Sequence, residues 1–184
     1  MKPELLISVI LFVSCGSYSQ DHNFRKADWG MTKQEVMNSE RAVFNDGNPS
    51  ILSYDYELFG LDCSILYVFN RDNRLKGSAY LFHEQHADKN QYLEDFQQLR
   101  SKLAEKYGEP EKDIIDWKDE QYRDSPGDYG LAISLGHLVY LSSWNSNGTV
   151  VSLILTGADE EVNFGVNYNP ADQALTENGS MDDL

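Results

Sequence analysis

The densest group of side chains able to bind a metal is His83-Glu84-Gln85-His86, which is followed by Asp88. Zinc sites on a helix place two histidines four residues apart with a glutamate after the first, whereas these two are three apart. The group falls between a predicted strand and a predicted helix, so a third ligand must come from elsewhere. A polar loop with Asp88 capping the helix is the favoured interpretation. We therefore predict no metal and no cofactor, and keep a metal-dependent hydrolase using His83 and His86 as the alternative.

Other patterns that carry chemistry are absent from the sequence. It contains no Gly-x-Ser-x-Gly, no phosphate-binding glycine loop and no Cys-x-x-Cys. Cys63 lies inside an apolar strand pattern, where a lone cysteine most often behaves as a small buried hydrophobe. No catalytic residue is predicted, and a non-catalytic role is favoured over an enzymatic one.

Four aromatic residues suggest a binding surface instead. Tyr80, Trp117, Tyr140 and Trp144 lie on predicted strands with polar residues around them. If helices cover one face of a sheet, aromatic side chains on the other face can anchor a peptide or a sugar. Packing of these rings against one another across strands is the favoured interpretation. If they bind a partner instead, these four are the predicted binding residues, on the uncovered sheet face.

The N-terminus predicts export. Lys2 precedes a short apolar run from Leu5 to Val13, which is typical of a secretory signal peptide and too short to span a membrane. Two processing sites remain open. Residues 1–19 can be removed before Gln20, or residues 1–14 can be the signal of a lipoprotein that is lipidated at Cys15. The predicted location is accordingly the periplasm, the outer membrane or the outside of the cell.

Composition narrows the class of partner. The chain has 184 residues, 41% of them apolar, and a net charge of −15. Such a chain folds, and its charge repels nucleic acid and anionic lipid. The predicted partner is another envelope protein, a peptide or a glycan. Nucleic acid is not expected to bind, and membrane contact is expected only through an anchor at Cys15.

Local patterns predict two helices and seven strands. Thr32 and Glu35 form a capping box for a helix from Lys33 to about Ser39. A second helix carries an apolar stripe at spacings of three and four and ends at Gly108. The predicted strands cover residues 52–58, 61–69, 75–83, 112–118, 130–144, 150–157 and 162–169.

These elements predict the α+β class. Short turns, such as Asn147-Gly148, make neighbouring strands antiparallel. The expected order is α-βββ-α-ββββ, with about seven strands in one sheet and both helices on one face. Residues 20–170 form this single domain, and residues 171–184 form a disordered acidic tail.

The segment Gly30-Met31-Thr32, with Glu35 and Val36 after it, and the helix–strand layout resemble a family of small exported bacterial domains. Its relatives include the small lipoprotein of the outer-membrane barrel-assembly machinery and the β-lactamase inhibitory protein. The resemblance implies a helix-plus-antiparallel-sheet fold and a role in binding other proteins without catalysis. It implies no functional residue of this chain.

Overall fold

The computed structural model describes residues 22–172. The leader, Cys15 and residues 173–184 of the predicted tail lie outside the described residues. Three helices and eight strands follow a short N-terminal loop. The helices are α1 (Lys33–Glu40), α2 (Gln91–Tyr107) and α3 (Tyr129–Ser134). The strands are β1 (Asn45–Asn48), β2 (Ile51–Leu58), β3 (Leu61–Phe69), β4 (Leu75–Phe82), β5 (Lys112–Trp117), β6 (Leu138–Ser146), β7 (Thr149–Ala158) and β8 (Glu161–Pro170).

The strands form one antiparallel sheet in the order β1-β2-β3-β4-β8-β7-β6-β5. Two runs of four strands meet in the middle, where β4 pairs with β8 from Ser78↔Tyr168 to Leu81↔Gly165. The fold is therefore α+β, and the two helices predicted from sequence, together with α3, cover one face of the sheet. Within residues 22–172 the structure has eight strands rather than about seven and three helices rather than two.

Both helix starts follow from local chemistry. The Thr32 hydroxyl accepts from the Glu35 amide at 3.3 Å, while the Thr32 amide donates to the Glu35 carboxylate at 2.7 Å, so the capping box is confirmed. At α2 the N-cap is Asn90, not Asp88, and its side chain does not cap the helix. Asp88 instead accepts from the Asn90 amide at 3.0 Å. The end of α2 at Gly108, with φ +86°, is as predicted.

The predicted strand 130–144 is wrong in its first part, because α3 occupies residues up to Ser134. A short apolar run does not distinguish a buried helix from a strand. Gly130 packs directly on the backbone before α2, where a β-carbon would lie 2.2 Å from the Lys89 carbonyl carbon. Gly136 then takes φ +78°, which glycine adopts without strain, and the chain turns into β6.

The first strand was missed for a different reason. Residues Asn45–Asn48 read Asn-Asp-Gly-Asn, which has no apolar alternation. The strand forms at the sheet edge by pairing with β2, at Asn45↔Ser53 and Asn48↔Ile51. Because this strand is defined by backbone pairing alone, no pattern of side chains in the sequence predicts it.

The core lies between the helices and one face of the sheet. Alternate residues of each central strand are buried, as in Leu138, Tyr140, Ser142 and Trp144 of β6. The stripe of α2 meets them through Tyr92, Phe96, Leu99 and Leu103, all buried as predicted. Among the described residues, no helix is long and apolar enough to cross a membrane.

Candidate functional site

The four predicted binding aromatics do not lie on the uncovered sheet face. Tyr80, Tyr140 and Trp144 are only 8%, 7% and 2% exposed. Tyr140 packs on Phe96 of α2, with ring centroids 5.5 Å apart. The Trp144 indole donates to the Gly108 carbonyl at 2.8 Å, which places it beneath the end of α2. The predicted placement is wrong for these three. Alternation along a strand shows which residues share a face, but it does not show which face the helices cover.

Trp117 is on the covered side as well. It pairs with buried Leu138 across β5 and β6, and its half-buried ring packs on Tyr129 at 5.1 Å. The uncovered face takes the alternate residues of each strand instead. In β3 to β8 of the described chain these are mainly aliphatic, serine and asparagine side chains, without an aromatic: Ser64, Leu66, Val68, Ala79, Leu81, Leu141, Ser143, Ser152, Ile154 and Asn167.

His83 and His86 take separate partners. His83 Nε2 lies 2.7 Å from the Ser64 hydroxyl, and His86 Nε2 lies 2.5 Å from an Asp95 carboxylate oxygen. The ring of His86 also packs on Tyr92 at 4.6 Å. Within residues 22–172, no three His, Cys, Asp or Glu side chains come together as metal ligands. The third ligand that the hydrolase alternative requires is thus absent from the part of the chain that the structure describes.

A cavity of about 500 Å³ opens on the covered side of the sheet, between the N-terminal loop, the end of α2 and the β6–β7 turn. This volume lies within the range typical of small-molecule sites. We call it the Arg25 pocket. Its lining residues are His22, Asn23, Phe24, Arg25, Tyr80, Lys106, Tyr107, Ser146, Asn147, Thr149, Val151 and Tyr168. Of the four aromatics predicted from sequence, Tyr80 alone is among them.

Phe24 anchors the loop that carries Arg25. Its ring is buried and packs on Tyr67, Tyr80 and Tyr168, at centroid distances of 5.4, 5.3 and 4.8 Å. Its backbone pairs with Ala27, through hydrogen bonds of 3.0 and 2.9 Å. The tight turn between them places Arg25 at φ +54°. The loop is therefore fixed by an aromatic cluster of the core, and it positions Arg25 at the pocket.

The carboxylate of Glu40, the last residue of α1, is buried behind Arg25. It accepts from the Tyr67 hydroxyl at 2.6 Å, the Tyr54 hydroxyl at 3.1 Å and Arg25 Nε at 3.4 Å. A further bond comes from the Lys26 amide at 3.3 Å. Burial alone would raise the pKa of Glu40, but the bond from Tyr67 and the charge of Arg25 outweigh it. The pKa therefore lies below its ordinary value, and the group stays ionised.

The remaining contacts of Arg25 point toward the pocket wall. Nη1 donates to the Tyr80 hydroxyl at 3.3 Å, and both residues line the pocket. The guanidinium also stacks over the ring of Tyr56, 4.5 Å from its centroid. Contacts on three sides hold this planar group in one orientation, which reduces the entropy lost when it binds a ligand.

The end of α2 supplies another part of the wall. Lys106 Nζ lies 4.6 Å from the centroid of the Tyr107 ring. Burial raises the pKa of Tyr168 well above its ordinary value, and the neighbouring Tyr107 adds to the shift. Burial likewise raises the pKa of Tyr80. The hydroxyl groups of both tyrosines therefore stay protonated at neutral pH and can donate hydrogen bonds.

Polar side chains complete the lining near the β6–β7 turn. The Thr149 hydroxyl accepts from the Trp29 indole at 3.1 Å and from the Asn23 amide group at 3.4 Å. His22 Nδ1 lies 2.9 Å from an Asp28 carboxylate oxygen, which orients its ring. The N-terminal loop is thus tied to the sheet through both its backbone and its side chains.

Cys63 lies outside the pocket lining and is buried. Burial raises the pKa of its thiol to about 11, against a smaller opposing effect of the Arg25 charge. Little thiolate forms at neutral pH, so this cysteine has the character of a core residue and not of a nucleophile.

Sequence reasoning missed Arg25, Glu40, Lys106 and Tyr168 as site residues. Arg25 precedes the first capped helix in a segment without periodicity, and Glu40 ends a helix that is otherwise mostly polar in sequence. Tyr168 belongs to a strand with plain alternation. The residues are brought together from four parts of the chain, so no spacing in the sequence connects them.

Comparison with known proteins gives one structural neighbour to report. No family model matches the chain, and no curated protein matches it. A crystal structure of a DUF4309 family protein, YjgB, from Bacillus subtilis subsp. subtilis str. 168 has a TM-score of 0.35 and 11% sequence identity. The alignment covers 76% of this chain and 78% of that chain.

Proposed function

We propose that the protein is an exported bacterial envelope protein and a non-catalytic binding module, and that its ligand occupies the Arg25 pocket. The pocket is the observation that carries the proposal. It is a cavity of about 500 Å³ whose walls combine aromatic rings with hydroxyl, amide and cationic groups. Small-molecule sites combine apolar side chains with fixed polar groups that orient the ligand, and in this pocket the polar residues form the larger share of the lining.

The groups around the pocket support binding better than catalysis. Arg25 is engaged by Glu40 and Tyr80, and Thr149 accepts two hydrogen bonds from neighbouring side chains. Glu40 stays ionised and the tyrosines stay protonated, since their pKa values are shifted away from neutral pH. Such groups hold a fixed charge or a fixed proton, whereas an acid–base catalyst needs a pKa near the working pH.

Export rests on the leader sequence and on the resemblance to small exported protein-binding domains. Mass spectrometry of the mature protein from its native host tests it. We expect an N-terminus at Gln20 or an acylated N-terminal Cys15. An intact Met1 on the protein in the cytosol contradicts this part of the proposal.

A fragment screen followed by NMR tests the location of the binding site. The isotope-labelled protein is exposed to a library of small polar and aromatic fragments. We expect the fragments that bind to shift the backbone amides of Asn23, Tyr107 and Asn147. The amides of Ser64 and Ser152, on the uncovered face, are the matched control and should not move. Shifts confined to the uncovered face, or chemical conversion of the bound fragments, contradict the proposal.

A further inference from the structure

The charge of the Arg25 pocket is opposite to that of the protein. The chain has 30 Asp and Glu residues against 15 Lys and Arg, and a net charge of −15. The pocket nevertheless has Arg25 and Lys106 in its wall and neither aspartate nor glutamate among the described residues that line it. The local potential therefore favours an anion, in a molecule whose overall charge repels one.

Glu40 reduces this charge only in part. Its side chain is 1% exposed and does not line the pocket, whereas the Arg25 side chain is 22% exposed and does. The carboxylate contacts Arg25 through Nε, so the Nη1 side of the guanidinium lies at the pocket wall with Tyr80. Glu40 thus positions the cation from behind, and a ligand meets the guanidinium first.

Tyr80 adds a donor at the same place. Its hydroxyl oxygen accepts from Arg25 Nη1 at 3.3 Å, which leaves its own proton able to donate to a ligand oxygen. A planar guanidinium beside a phenolic O–H matches the two oxygens of a carboxylate better than it matches a lone halide ion. Lys106, on the α2 side, supplies a second positive charge.

Beside the polar residues near the β6–β7 turn, one part of the wall is aromatic and aliphatic. Phe24, Tyr107, Val151 and Tyr168 present rings and methyl groups to the same cavity. An anion without an apolar part would leave this surface unfilled, whereas a ring or branched alkyl group would bury it. A volume of about 500 Å³ suits a molecule of small-ligand size.

We propose that the ligand is a small organic carboxylate, with its charge bound by Arg25 and Lys106 and its apolar part packed among the rings of Tyr80, Tyr107 and Tyr168. This rests on the proposed function, because it names the ligand class of that same pocket.

Two compounds of the same size, one with a carboxylate and one with a neutral amide, test the proposal. N-acetyl-L-phenylalanine carries the carboxylate, and N-acetyl-L-phenylalaninamide has the same size and ring without the charge. Each is titrated by NMR into the labelled protein while the amides of Asn23, Tyr107 and Asn147 are followed. We expect the acid to bind at least about tenfold more tightly, which is the effect of losing one charge-assisted hydrogen bond.

Variants of the two cations complete the test. Lys106→Gln should weaken binding of the acid about three- to tenfold and leave the amide unaffected. Lys102→Gln, one turn earlier on the same helix and outside the lining, is the control and should change neither. Arg25→Lys keeps a cation beside Glu40, so the protein should fold, but the loss of the planar guanidinium should weaken the acid about tenfold.

The outcomes separate this inference from the proposed function. If the amide binds in the pocket as tightly as the acid, or if Lys106→Gln and Arg25→Lys leave the acid unaffected, the carboxylate class is wrong while the pocket remains a binding site. If neither compound shifts the pocket amides at millimolar concentration, both proposals are overturned. If the acid shifts the pocket amides and both variants weaken its binding by these factors, the inference is supported.

Discussion

Beneath α2 the sheet presents Tyr140 and Trp144 to an apolar helix stripe, whereas beneath α1 it presents Tyr54 and Tyr67 to the buried carboxylate of Glu40. The α2 side is held by burial of large apolar side chains, which contributes stability without specific geometry. The α1 side also buries apolar side chains such as Val36 and Ile65, and it adds hydrogen bonds and one ion pair, whose desolvation offsets much of their attraction.

The α1 side and the α2 side therefore have different roles in the molecule. A buried ion pair is weak evidence for stability, but it fixes the orientation of its members. Here the fixed member is Arg25, which reaches the pocket between the two sides. The α2 side is thus stabilised mainly by apolar packing, whereas the α1 side adds a positioned charge to its own apolar packing.

The largest expected effect is on the α2 side. Leu99→Ala removes a side chain that is buried in the stripe against the sheet, and should lower the free energy of unfolding by about 2–5 kcal/mol. Urea unfolding followed by circular dichroism measures it. Leu93→Ala, at a half-buried position of the same helix, is the control and should cost less. A loss at Leu99 below that at Leu93 would break the assignment of stability to this side.

On the α1 side the expected loss is smaller. Glu40→Gln keeps the size of the side chain but removes the charge that accepts from Tyr67, Tyr54 and Arg25. We expect a loss of about 1–3 kcal/mol in the same unfolding experiment. Glu57→Gln, at an exposed position of β2, controls for the removal of one negative charge from an acidic protein. Equal effects of the two variants would mean that the buried network contributes nothing of its own.

The smallest expected effect is a change with pH in the stability difference between the native chain and Glu40→Gln. The folded-state pKa of Glu40 lies below its ordinary value of 4.5, so its stabilising contribution is present above that value. It is lost as the pH falls through the lower folded-state pKa. The difference in unfolding free energy between the native chain and Glu40→Gln should therefore be constant near neutral pH and narrow below pH 4.5. Unfolding curves across that range measure it, and a gap that widens in acid would contradict the pKa direction. Leu99→Ala should show no such change.

Much of the α2 side could be predicted from sequence. Its stripe at spacings of three and four, the stop at Gly108 and the strands β6 to β8 depend on local periodicity, which side-chain burial imposes directly. The capping box of α1 was predicted for the same reason, since Thr32 and Glu35 interact within one turn. The failures lie where local and tertiary preferences differ. Residues 129–134 are apolar enough for a strand, but Gly130 allows the chain to pack as a helix on Lys89.

The candidate site was predicted only at Tyr80. Alternation places Tyr140 and Trp144 on one face of their strand, but both faces of a sheet have the same period. Which face the helices cover depends on the direction in which the chain leaves each strand. In the structure the aromatic residues lie on the covered face and belong to the core. The serine, asparagine and aliphatic residues at alternate positions lie on the uncovered face.

By itself the sequence determined the α+β class, the boundaries of most elements and the charge of the whole molecule, because these follow from composition and from contacts between near neighbours. Tertiary structure alone decided the sheet order, the third helix and the Arg25 pocket. Arg25, Tyr80, Lys106 and Tyr168 are distant in the chain, and they meet because β8 inserts beside β4 while the N-terminal loop packs over that junction. Long-range pairing leaves no period in the sequence, so a site assembled by it becomes visible only in the folded molecule.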